Sequence, residues 1–178
     1  MDYFSKMKGT TRSPPAVGIS EIFWSWIGSF IGIAAVAYIN YTIVDKTDLV
    51  MIIGSFGASA VLIYGAVRSP LAQPRNLIGG HVISAVIGVT AYKLLPAHLM
   101  LAAPIAVATS IAAMHATKTL HPPGGATALI AVIGSQKIHN LGYFYVLIPG
   151  AVGPVIMLAV ALLVNNIPKN RRYPEFWL

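Results

Sequence analysis

Apolar residues in this chain dominate long runs, at 22–44, 49–67, 77–95, 99–117 and 143–164, with a shorter run at 122–134. Strict alternation would mark strands, and a 3.6-residue period a helix with one wet face. Helices that are apolar all round are buried or lipid-immersed, and five of these runs approach the roughly 20 residues needed to cross a hydrocarbon core. The pattern predicts an all-α, polytopic transmembrane helix bundle of six apolar segments. Residues 1–20 form an amino-terminal tail, 21–166 the membrane domain and 167–178 a basic carboxy-terminal tail.

Two segments are irregular. The fifth, 122–134, opens with Pro122, Pro123, Gly124 and Gly125 and reaches only about 20 Å at about 1.5 Å per residue. It reads as a half-helix, a re-entrant turn, or a helix completed by an irregular stretch. The second carries Gly54 and Gly57, which weaken a helix at mid-depth. The two breaks echo each other at a fixed spacing: Gly57, Ala58 and Ala60 match Gly125, Ala126 and Ala128, and Ser59 pairs with Thr127. Small-residue membrane helices resemble one another anyway. Interrupted segments in corresponding halves are nevertheless the sequence mark of a transporter's binding site.

Composition agrees with the pattern. Only 10% of residues are charged, against roughly 25% in soluble domains, and the mean hydropathy is +0.72. The absence of cysteine excludes disulfides, thiolate metal sites and cysteine nucleophiles. The first segment is too long for a cleavable signal and lacks a small-residue cleavage site. The net charge of +7 sits at segment ends and in loops rather than in a patch interleaved with aromatics, which argues against nucleic acid.

Charge placement sets the topology. With six crossings and a cytoplasmic amino terminus, Lys6, Lys8, Arg12, Arg68, Arg75, Lys118, Lys169, Arg171 and Arg172 lie inside; Lys46, Lys93 and Lys137 lie outside with Asp45 and Asp48. If segments two and five turn back instead, the asymmetry weakens, so the positive-inside rule favours six crossings and two cytoplasmic termini. Three crossings per half make the halves an inverted repeat. Phe23, Trp24, Trp26, Tyr38, Tyr41 and the residues Tyr143 to Tyr145 mark the interfaces.

Candidate chemistry gathers at the breaks. Proline cannot continue the helix before it but suits the first turn of a new one. A helix thus ends before His121 and another begins at Pro122. A glycine-rich helix amino terminus offers unpaired N–H groups and partial positive charge to an anion. Ser55, Phe56, Gly57 and Ser59 offer the same from the other half, and in an inverted repeat the two termini would face each other near the midplane. Ionisable residues inside a membrane default to function. His81 and His121 read as polar gates able to couple to protons, although a helix-to-helix hydrogen bond would also account for His81 and for His115. Arg75 and Asn76 would attract the ion on the cytoplasmic side; Arg75 reads equally as a topology-setting cation, and Lys118 more readily so. His98 and His139 look like loop residues. A metal site from His81, His115 and His121 has no signature spacing. Gly28 with Gly32, and Gly80 with Ser84 and Gly88, are small-residue stripes that predict tight packing or an oligomer contact. No nucleotide loop is present, no carboxylate pair lies within the segments, and no cofactor is implied.

Gly54 to Ser59, Ser69 to Asn76 with Pro70 and Pro74, Gly79-Gly80-His81, and His121 to Thr127 together resemble the HPP family of integral membrane proteins, over about residues 20–168. The resemblance implies a nitrite transporter, or a close small-anion relative, in a prokaryotic, cyanobacterial-type cytoplasmic membrane. The family is usually described with four spans, and some bacterial members carry a soluble regulatory domain that this chain lacks. The function expected is non-enzymatic transport of a small monovalent anion, with the bilayer and further copies of the chain as its other partners. Two rivals stand beside it: a structural or assembly membrane protein, and, more remotely, a histidine-metal intramembrane enzyme.

Overall fold

A computed structural model describes residues 3–9, 11–44, 46–47 and 49–178. Asp45 and Asp48, assigned above to the first outer loop, lie outside the described residues. Among the described residues there is no strand. Eight helices follow one another: α1 Ile19–Ile39, α2 Ser55–Ala60, α3 Pro74–Leu94, α4 Leu99–Ala116, α5 Pro122–Ile133, α6 Gln136–Leu141, α7 Phe144–Leu147 and α8 Val152–Val164. Wider π-helical turns extend α1 through Asn40–Val44 and α2 through Val61–Gly65.

Among the described residues, four stretches are long and apolar enough to cross a membrane: Ile19–Val44, Pro74–Leu94, Leu99–Ala116 and Phe144–Val164. The helices of the second and fifth segments, Ser55–Gly65 and Pro122–Ile133, are shorter. Each is entered through a non-helical stretch, at 49–54 and 119–121. The first of these lies beside the far end of α1, where Asn40 Oδ1 accepts from the Met51 and Ile52 N–H groups at 3.0 and 3.2 Å. A side chain thus satisfies backbone that no helix satisfies. At the other extreme, Gly65 to Ser69 line one cavity with Gly18 and Glu21 at the start of α1. The second segment therefore runs the whole length of α1.

The fifth segment likewise accompanies α3. Thr119 packs on Gly79, His121 on Gly80 and Ala128 on Gly88, and His139, in α6, stacks on Tyr92 with ring centroids 3.8 Å apart. The glycines of α3 make this approach possible. A Cβ on Gly88 would lie 2.6 Å from the Ala128 carbonyl oxygen, closer than any real contact. In α1, Gly28 and Gly32 leave room for the ring of Tyr64, whose hydroxyl donates to the Met157 carbonyl of α8 at 2.9 Å. The predicted stripes thus pack within the chain.

The carboxy-terminal tail closes the bundle. Buried Arg171 pairs with Glu21 Oε1 at 2.8 Å, and also donates to the Glu21 carbonyl, Ser25 Oγ and Asn165 Oδ1. Tyr173 donates to the Ala72 carbonyl at 2.8 Å, and burial holds its phenol above the usual tyrosine range. These contacts bring the start of α1 and the segment after α8 to the same end of the bundle.

Candidate functional site

The two breaks meet about a third of the way along α3. His81 lies seven residues into α3, about 10 Å from its start. Ser59 of α2 sits between two imidazoles, 2.8 Å from His81 Nε2 and 2.9 Å from His121 Nε2. On its other side, His81 Nδ1 is 2.7 Å from Thr127 Oγ1, and Thr127 Oγ1 is 2.9 Å from Ser55 Oγ. His121 Nδ1 is 2.8 Å from the Leu71 carbonyl oxygen. Ser55, Ser59, His81, His121 and Thr127 are all buried, none more than 1% exposed. Phe56 covers the cluster, its ring edge-on to His81 at 5.4 Å.

Local sequence explains the placement. Pro122 and Pro123 force the chain to leave helical geometry before them. His121 accordingly takes an extended conformation at the cap of α5, and its ring is free to turn inward. Gly80 admits it, since a Cβ there would lie 2.5 Å from the His121 Cβ. Gly124 brings α5 against the Gly80 carbonyl, 2.7 Å from where a Cβ would stand.

One end of the chain fixes much of the rest. A carbonyl only accepts, so His121 Nδ1 carries a hydrogen. In a neutral His121, Nε2 then accepts from the Ser59 hydroxyl. Ser59 has given its one hydrogen, so it accepts from His81 Nε2–H, which leaves Nδ1 of a neutral His81 to accept from Thr127. The Thr127 hydroxyl also points at Ser55 Oγ and, at 3.2 Å, at the Pro123 carbonyl. Its single hydrogen cannot serve all three. An additional proton on His81 would make Nδ1 a donor and release the Thr127 hydrogen to Ser55.

The breaks do not meet end to end. Ser55 opposite Thr127, and Ser59 opposite His121, place α2 and α5 antiparallel and side by side, overlapping by about a turn. The facing termini expected from the sequence are instead two that pass each other, because the hydroxyls pair across the helices. Pro123 and Gly124 are buried beside the cluster, Gly125 is half-buried, and Gly57 and Pro122 are exposed. Arg75 donates to the Thr117 carbonyl and Asn76 to the Leu120 carbonyl, each at 2.8 Å, tying α3 to the segment between α4 and α5. His115 is exposed and lines an apolar groove with Pro122 and Gly125, so it does not join His81 and His121. No group of three His, Asp or Glu side chains placed to hold a metal occurs among the described residues. His98 is exposed just before α4, and His139, in α6, donates from Nε2 to the Val132 carbonyl at 3.1 Å.

Tyr145 corrects a sequence expectation. Read as an interfacial aromatic, it is fully buried, and its hydroxyl donates to the Thr127 carbonyl at 3.0 Å. No pattern in the sequence separates it from the exposed Tyr143 two residues earlier.

The cluster is built from the motifs on which the family resemblance rests, and those motifs lie inside a profile match. The family described as HPP, transmembrane region, matches residues 14–174. This chain belongs to the HPP family. Two transmembrane proteins of Dictyostelium discoideum are similar to this HPP protein: one is 46% identical over 99% of the chain, the other 44% identical over 99%. The chain spans 58% and 64% of their lengths. No solved structure matches it significantly. HPP membership and the apolar helices make it an integral membrane protein; the two relatives named come from Dictyostelium rather than from a prokaryote.

Proposed function

We propose that this HPP protein moves a small monovalent anion, nitrite by preference, as a secondary transporter or channel. The observation that carries the reading is the buried chain of Ser55, Thr127, His81, Ser59 and His121 where two interrupted helices overlap. Polar groups are costly inside a membrane and mark pathways there. Hydroxyls and imidazoles without a carboxylate hydrogen-bonded to them suit an anion rather than a sodium-type cation. Nitrite is the ion that the HPP resemblance implies.

In the neutral chain the hydrogens of His121 Nδ1, Ser59, His81 Nε2 and Thr127 are each spent on a neighbour. An anion would enter by displacing these bonds, and a proton on His81 or His121 would supply the donor and the charge that make displacement favourable. Anion and proton would then move together. The six segments would cross as a three-plus-three inverted repeat with both termini cytoplasmic. Two features support that arrangement: the second segment accompanies α1 for its whole length, and the fifth accompanies α3.

Purified protein in vesicles tests the reading. Nitrite should enter faster than into empty vesicles, and faster with an inward proton gradient. Failure of nitrite, nitrate and formate alike would overturn it. A structural or assembly role is the second reading, favoured by the close packing at Gly32, Gly80, Gly88 and Gly124; it predicts no flux of any ion.

A further inference from the structure

At the end of the bundle that holds Glu21 and Arg171, a cavity of about 450 Å³ opens between the start of α1, the end of the second segment and the carboxy-terminal tail. Gly18, Glu21, Arg68, Ser69, Arg171 and Arg172 line it. Three arginines and one glutamate line it, so two positive charges remain after the Arg171–Glu21 pair is counted. Arg172 is exposed and has no ion pair or hydrogen bond among the described residues. Arg68 spends one nitrogen on the Asn170 carbonyl at 3.0 Å. Arg171 is only 8% exposed, and its Nε–H is buried without a partner. The α1 helix starts at the same place, and Gly18 gives it no side-chain cap. Its first N–H groups and the positive end of its dipole therefore add to the field.

We infer that this cavity binds a phosphate group, the headgroup phosphate of an anionic lipid. Guanidinium forks match phosphate oxygens two at a time. The volume is far greater than a three-atom anion needs, since even a water molecule takes only roughly 30 Å³; it suits a phosphate carrying its glycerol. Ile22, Phe23 and Trp26 project from the first turns of α1, and aromatics of this kind lie at headgroup level. By charge placement this is the cytoplasmic face, where the leaflet carries anionic lipids that attract basic groups. The site is separate from the histidine cluster and does not depend on what that cluster carries.

The test uses the full chain in detergent, with phosphatidylglycerol, phosphatidylcholine and inorganic phosphate as probes. Saturating phosphatidylglycerol should raise the unfolding midpoint by about 5 °C, and phosphatidylcholine should not. Native mass spectrometry should show phosphatidylglycerol retained at least about tenfold less by the double variant Arg68→Gln with Arg172→Gln, a difference of about 1.4 kcal/mol. Arg68→Lys with Arg172→Lys keeps the charge and loses the forks; it should retain the lipid to an intermediate extent, and it carries the test if the glutamine variant does not fold. A midpoint shift with inorganic phosphate that lipid does not increase would mean that free phosphate, not a headgroup, is the ligand, and would overturn the lipid assignment. Equal retention by the wild type and both double variants, or no shift with any probe, would overturn the site itself.

Discussion

Thr127 carries one hydrogen and faces three acceptors, so its substitution is the most direct probe of the cluster. Thr127→Val removes the hydroxyl and keeps the shape. His81 Nδ1 and Ser55 Oγ then lose a buried partner, at a cost of about 1–3 kcal/mol, readable as a lower unfolding midpoint in detergent. Thr127→Ser should restore most of it. If the chain carries protons with the anion, His121→Ala should alter the pH dependence of nitrite flux into vesicles, whereas replacing exposed His98 should leave it as it was. Ser55, Ser59, His81, His121 and Thr127 were legible in the sequence because hydroxyls and imidazoles stand out beside proline and glycine in an apolar run. The Leu71 carbonyl, which fixes the direction of the hydrogen bonds, was not. Every residue has a carbonyl, and only the fold decides which one a ring reaches.

Helix starts were legible too, since Pro122, Pro123 and the glycines punctuate the chain. Their relative shift was not, because the slide of α2 along α5 is set by side chains on two separate elements. The sequence echo matches Gly125 to Gly57 and leaves Gly124 opposite Phe56, whereas the structure puts the tighter constraint on Gly124. A Cβ on Gly125 would meet only Val107, at 3.8 Å, while one on Gly124 would press on the Gly80 carbonyl oxygen at 2.7 Å and Ser84 Oγ at 2.9 Å. Gly125→Ala should change stability by less than about 0.5 kcal/mol. Gly124→Ala should cost about 1–3 kcal/mol through strain, and it should loosen α5 from α3. Unfolding midpoints of the two variants, measured side by side, check the distinction.

Across the whole molecule, charge counting anticipated that the start of α1 and the tail share one face, and the Glu21–Arg171 pair puts them there. Reading residues 167–178 as a basic tail missed the buried role of Arg171, because nothing in a run of Arg and Lys tells a solvated guanidinium from a locked one. Arg171→Met alone would leave Glu21 and Ser25 without their partner at the bundle's mouth, costing about 3 kcal/mol. Adding Glu21→Gln should return part of that loss, since the orphaned charge is then gone. Thermal unfolding of the two singles and the double closes the cycle. The pairing also has a consequence in time. Arg171 is synthesised after all six apolar segments, so Glu21 is without its ion-pair partner until the chain is nearly complete. The latch between the start of α1 and the tail can close only after every segment that it encloses has been made.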